Sequence, residues 1–264
     1  MGDSTAAVVG PPSVLLRLLE SRAVFEFGAY AAASPWLRLV GRGDRHPVLV
    51  LPGFTGDDRS TRTLRATIGA NGYWTHGWRL GTNFGPSDRV LEGMHQRIEE
   101  LHERHRRTVS LVGWSLGGVY ARELAREHPD LVRQVITLGS PFRLRRTDRS
   151  SASWLTDRLS TRFRDEVLRL ALAEHDKPPL PMPSTAVYSR TDGIVRWHTC
   201  IDAERPCHEN VEVYGSHSGL GWNPSVLFVV LDRLAQREGD WKPFHAPLPV
   251  RAWYPRPASW HAVA

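Results

Sequence analysis

The stretch VSLVGWSLGG, residues 109 to 118, limits the fold of this chain more than any other. It begins as an apolar run without polar alternation, the pattern of a strand buried on both faces of a sheet. It breaks at a serine fenced by glycines, Gly113-Trp114-Ser115-Leu116-Gly117. Helical periodicity follows at once over 117–127, with Val119, Tyr120, Leu124 and Ala125 on one face. A buried strand that turns sharply into an amphipathic helix belongs to a layered α/β architecture.

The rest of the chain repeats that rhythm. HPVLVLPGF (46–54), GYWTHGWRL (72–80), VRQVITLGSP (132–141), STAVYSR (184–190) and NVEVYGS (210–216) read as strands. Residues 13–40, 88–105 and 223–238 read as helices. Strands alternating with helices predict a mostly parallel sheet covered on both sides, within one domain over 1–264. Two segments interrupt the alternation. Residues 142–183 form a long insertion rich in Arg and Leu, in which Leu155, Leu159, Phe163, Val167 and Leu170 recur at helical spacing. Residues 240–264 carry repeated prolines together with Trp241, Trp253 and Trp260, and read as an irregular tail that covers the core or forms a subunit contact.

Composition excludes several classes of function. The net charge of +6 comes almost entirely from arginine, since only Lys177 and Lys242 are lysines. The arginines are spread along the chain, densest at Arg143, Arg145, Arg146 and Arg149, and no nucleic-acid-binding module is present. No apolar stretch approaches the length of a membrane span, and the first twenty residues lack the basic start of a signal peptide. A cytoplasmic protein is therefore expected. Cys200 and Cys207, six residues apart, suit either a local disulfide or two thiols. No CxxC pair is present, and HERH (102–105) is one residue short of a zinc-binding HExxH, so no metal site is expected.

Gly-x-Ser-x-Gly alone is a weak signal, but its setting is specific. A serine on a strained strand-to-helix turn needs small residues two before and two after it, and Gly113 and Gly117 meet that need. Gly118 lets the helix pack close to its neighbours. A serine hydroxyl needs a base to act as a nucleophile. On a parallel sheet the base should follow a later strand, because crevices form at the carboxyl ends of strands. His217 follows the last predicted strand, and Asp192 follows the one before it. The developing oxyanion needs backbone donors, for which Leu116 and Phe54 N–H are the candidates, with Gly53 allowing close approach. Competing readings remain. Asp192-Gly193 is also a turn signal, which leaves Asp202 and Glu166 as fallback acids, and His198 and His208 rival His217.

The motifs LPGF, GWSLGG, SRTDGIV and GSHSGLG, in this order at strand ends, resemble those of the α/β-hydrolase superfamily, in particular its bacterial lipases and esterases. The resemblance covers roughly residues 45–238. It implies that the acid follows the seventh strand of that fold, where Asp192 stands, and that a helical cap or lid follows the sixth, where 142–183 stands. Many relatives carry His-Gly where this chain has Pro52-Gly53. The expected activity is cleavage of carboxylic esters with a hydrophobic acyl group, through an acyl-enzyme on Ser115 and without a cofactor. Acyl transfer, thioester cleavage and a non-catalytic binding module are the alternatives. Leu155, Leu159 and Phe163 of the cap would line the acyl site, or lie on a cap packed permanently on the core. An opening cap would place a lipid interface or membrane surface among the partners. Trp114 either contacts substrate or packs beneath the turn.

Overall fold

The computed structural model describes residues 12–41, 43–143 and 177–259. Six strands, β1 (Pro47–Leu51), β2 (Trp74–Gly77), β3 (Val109–Trp114), β4 (Val132–Leu138), β5 (Ser184–Tyr188) and β6 (His208–Glu212), form one sheet. Their order is β2-β1-β3-β4-β5-β6, and every neighbouring pair is parallel. From β1 the chain steps to one side, to β2, and then returns past β1 to β3. The strand order therefore reverses between β1 and β3, and a crevice opens at their carboxyl ends.

The apolar runs alternate between two cores. Leu49 and Leu51 of β1 and Leu111 of β3 pack on one face with α4 (Asp88–His105) and α5 (Leu116–Glu127). Val48 and Val50 of β1 and Val112 of β3 pack on the other, with α2 (Ala23–Leu37), α3 (Arg62–Ala70) and α6 (Pro224–Leu234). Both faces are covered, which is why these strands carry no polar alternation. Helix starts follow local chemistry. Ser87 caps α4 by accepting from Val90 N–H, and Asn223 caps α6 just before Pro224.

Most elements end a few residues short of the sequence expectations, and three differ further. The single helix over 13–40 is instead α1 (Val14–Leu18), a 3-10 turn (Leu19–Arg22) and α2. The strand expected over 210–216 begins at His208, because the opening polar residues find partners: His208 Nε2 lies 3.0 Å from the Leu180 carbonyl, and Glu209 accepts from Thr185. The strand over 72–80 shortens to β2. Within the tail, Phe244 and Tyr254 pack on Phe228 of α6, and the Tyr254 hydroxyl donates to the Ser225 carbonyl at 3.0 Å, while Trp253 stays exposed. Cys200 and Cys207 are both free thiols. Among the described residues no helix is long and apolar enough to cross a membrane.

Candidate active site

Ser115 stands at the end of β3 with φ 54° and ψ −122°, a conformation that costs a side-chain-bearing residue about 1–3 kcal/mol. The surroundings hold it there. Its N–H donates to the Leu138 carbonyl of β4 at 2.8 Å, and its carbonyl accepts from Gly118 N–H at 3.0 Å. A Cβ on Gly113 would lie 2.3 Å from the Gly118 Cα, and one on Gly117 would lie 2.3 Å from the Leu51 carbonyl oxygen. The turn is thus too tight for any other residue on either side. Gly118 faces Ser140 just as closely, which sets the contact between α5 and the end of β4.

The loops after β5 and β6 bring Asp192 and His217 to this serine. His217 Nε2 lies 3.0 Å from Ser115 Oγ, and His217 Nδ1 lies 2.6 Å from Asp192 Oδ2. All three residues are buried. Asp192 also forms the turn that its sequence context suggested: its Oδ1 accepts from Ile194 N–H at 2.8 Å and Val195 N–H at 2.6 Å. One carboxylate oxygen orders the loop and the other faces the imidazole. Burial alone would lower the His217 pKa. The charge and hydrogen bond of Asp192, with the charge of Glu20, outweigh that and raise it above the usual imidazole value. Gly139, at the end of β4 with φ +55°, lies beneath the pair; a Cβ there would come 3.2 Å from His217 Nδ1 and 3.3 Å from Asp192 Oδ2.

The loop after β1 closes the other side. A Cβ on Gly53 would stand 3.0 Å from Ser115 Cβ, so the Gly53–Phe54 backbone runs directly against the serine. Asn83 fixes this loop. Its side chain donates to the Pro52 carbonyl at 2.9 Å and accepts from Gly85 N–H at 3.1 Å and the Tyr120 hydroxyl at 3.3 Å. Its backbone exchanges bonds with Thr55 and Gly56. Leu116 N–H opens α5, where the first N–H groups of a helix have no partner within it.

The competing residues lie elsewhere. Asp202 pairs with Arg122 at 2.8 Å and faces His208 at 3.4 Å. His198 stacks on Trp197. Trp114 packs edge-on to Trp222, and its indole N–H donates to the His217 carbonyl at 3.2 Å, so its ring supports the histidine loop from beneath. Leu155, Leu159, Phe163 and Glu166 lie outside the described residues.

Comparison with known proteins agrees with this frame. A family profile for the alpha/beta hydrolase fold matches residues 48–179, half of the chain. The chain belongs to the alpha/beta hydrolase family. Its structure is similar to that reported for LipS and LipT, two metagenome-derived lipolytic enzymes, with a TM-score of 0.58 at 19% identity over 74% of this chain and 95% of that one. It is also similar to a monoacylglycerol lipase from Paleococcus ferrophilus, with a TM-score of 0.56 at 14% identity over 74% and 96%. A third similar structure is Est1E from Butyrivibrio proteoclasticus, with a TM-score of 0.53 at 13% identity over 71% and 86%. No curated protein sequence matches significantly.

In this alpha/beta hydrolase the N-terminal segment supplies a support that sequence reasoning did not identify. Glu20 accepts from Gly193 N–H at 2.8 Å and from His217 and Ser218 N–H at 2.9 Å each, joining the acid loop to the histidine loop. Burial would raise its pKa; these donors outweigh burial and hold it below the ordinary carboxylate value. Glu26 accepts from Ser216 N–H at 2.8 Å, and Arg22 donates to the Thr191 carbonyl at 2.6 Å. The one signal in the sequence is that Glu20 and Glu26 are the only acids in an otherwise apolar and basic stretch, 14–39.

Proposed function

We propose that this alpha/beta hydrolase is a serine esterase that cleaves carboxylic esters with a hydrophobic acyl group. The observation that carries the reading is the buried chain of contacts Asp192–His217–Ser115, with the serine held in a strained turn. Ser115 Oγ attacks the ester carbonyl carbon while His217 Nε2 takes its proton. Asp192 orients the imidazole with its proton on Nδ1 and stabilises the imidazolium. Phe54 and Leu116 N–H groups stabilise the oxyanion. Collapse of the intermediate breaks the bond to the alcohol, which leaves with the proton from His217. Water, deprotonated by His217, then attacks the acyl-enzyme; the acid is released and Ser115 regains its proton. None of these steps calls for a metal or organic cofactor. Similarity to structures described as lipolytic enzymes and a monoacylglycerol lipase supports an acyl ester as substrate.

The test is hydrolysis of p-nitrophenyl esters from acetate to palmitate by wild type and Ser115→Ala, with fluorophosphonate labelling of both. The expected result is activity and labelling in wild type alone, with the preferred acyl chain measuring the pocket. Equal activity in the two proteins, or a wild type that neither turns over these esters nor takes the label, overturns the reading.

A further inference from the structure

Residues 14–39 form an arm with two unlike faces. The inner face carries Glu20, Arg22 and Glu26, all bonded to the loops that hold Asp192 and His217. The Leu16 carbonyl lies so close to Gly193 that a Cβ there would stand 2.2 Å from it. The outer face is apolar and uncovered. Nine of the fourteen exposed large apolar side chains among the described residues lie in this arm. Phe25 is 80% and Trp36 73% exposed. Together with Ala29 and Ala32 they follow a four-three-four spacing, which puts them on one side of α2. Leu39 at the end of α2 and Leu18 at the end of α1 are likewise 75% and 70% exposed. Exposed apolar strips of this extent mark interaction surfaces.

Charge identifies the occupant. Both acids of the arm turn inward, so its exposed charges are those of Arg17, in α1, and Arg38, at the end of α2. Arg17 stands near enough to the acid loop for its charge to reach Arg196. A second copy packed face to face would set arginine against arginine with no acid to pair. An arm with exposed tryptophan, phenylalanine and leucine, whose exposed charges are arginines, suits the boundary of an anionic bilayer. We propose that the outer face of residues 14–39 binds an anionic lipid surface, so that the arm carries the Asp192 and His217 loops to that surface. The benefit to catalysis rests on the esterase reading; the binding does not.

The experiment is flotation of the full chain with vesicles of phosphatidylcholine, alone or with phosphatidylglycerol, for wild type, Ser115→Ala, Phe25→Gln/Trp36→Gln and Arg17→Gln/Arg38→Gln. Far-UV circular dichroism checks that every variant folds, and turnover of p-nitrophenyl acetate adds a second check for the two arm variants. Wild type and Ser115→Ala should float alike and prefer anionic vesicles. Loss of the two aromatics should lower partitioning at least about tenfold, and loss of each arginine about fivefold on anionic vesicles only. Added salt should weaken the anionic preference. The proposal is overturned if wild type does not float, if it floats equally with neutral vesicles, or if the aromatic variant floats like wild type. It is also overturned if wild type sediments as a dimer that the aromatic variant dissociates. Because Ser115→Ala is tested for binding alone, failure of the esterase reading leaves this result legible.

Discussion

Replacing Glu20 separates support of the site from the chemistry itself. Its carboxylate accepts three backbone N–H bonds, two on Oε1 from Gly193 and His217 and one on Oε2 from Ser218. Hydrogen bonds to a charged group contribute about 1.5–3 kcal/mol each when water is excluded. Glu20 is only half-buried, so water takes over part of the loss in a truncated variant. A total of about 2–3 kcal/mol for Glu20→Ala is therefore expected, shared between global stability and order of the two loops. Glu20→Gln keeps one acceptor oxygen and turns an NH2 toward the Ser218 N–H, so about half that loss should remain. Because the loops carry His217 and Asp192, the loss should appear in kcat more than in KM: roughly tenfold for Gln and up to a hundredfold for Ala. The Glu20 charge also raises the His217 pKa, so the acid limb of the kcat/KM profile should move to lower pH in both variants. The assay is p-nitrophenyl butyrate hydrolysis from pH 5 to 9, with melting temperature measured alongside. A variant that melts earlier yet keeps its kcat and its acid limb refutes the reasoning, since Glu20 would then merely hold the arm to the body.

Four further outcomes follow from the same geometry. Asp192→Asn should lower kcat by about three to four orders of magnitude and shift the acid limb down, as the imidazole loses the charge that raises its pKa; a small effect in a pH-rate profile rejects Asp192 as the acid. In wild type, rate should be lost as pH falls through the raised His217 pKa, above the ordinary value of about 6.5. Stability from the same shift runs oppositely: present below about pH 6.5 and lost as pH rises through the folded value, measurable by urea denaturation at several pH values. Gly117→Ala should destabilise by about 3 kcal/mol or more and abolish activity, because its Cβ would meet the Leu51 backbone at 2.3 Å; unchanged urea midpoint and rate would refute the packing argument. Asn83→Ala should cost about 2–4 kcal/mol in the same assay by stranding the Pro52 carbonyl, Gly85 N–H and Tyr120 hydroxyl, and should lower kcat through the Gly53–Phe54 backbone.

What the sequence disclosed depended on how local the determining physics was. β1, β3 and β4 were legible because burial on both faces demands unbroken apolar runs, and each is buried along nearly its whole length. The start of β6 was not, because His208 and Glu209 are satisfied by Leu180 and Thr185, partners that no local pattern names. The serine turn was legible for a similar reason: the glycine at 113 answers a clash with Gly118, five residues on, while the one at 117 makes room for the Leu51 carbonyl of the neighbouring strand. The rule that sites gather at strand ends pointed to His217 and Asp192, though it left Asp202, Glu166, His198 and His208 as rivals. Glu20 stands 173 residues from Gly193, and no spacing connects them. The periodicity of the arm gave no help. A helix facing the core should be apolar on one side and polar on the other, yet α2 is apolar on both, with Leu37 in the core and Phe25 and Trp36 exposed, and the acids of the arm also turn inward. That removes the amphipathic signal. Two carboxylates turned toward the body have a structural cause, since the loops they meet present backbone N–H groups that no strand satisfies. Helices that point charge inward are therefore worth testing against the unpaired N–H groups of the loops they cover, and here that search leads to the loops holding His217 and Asp192.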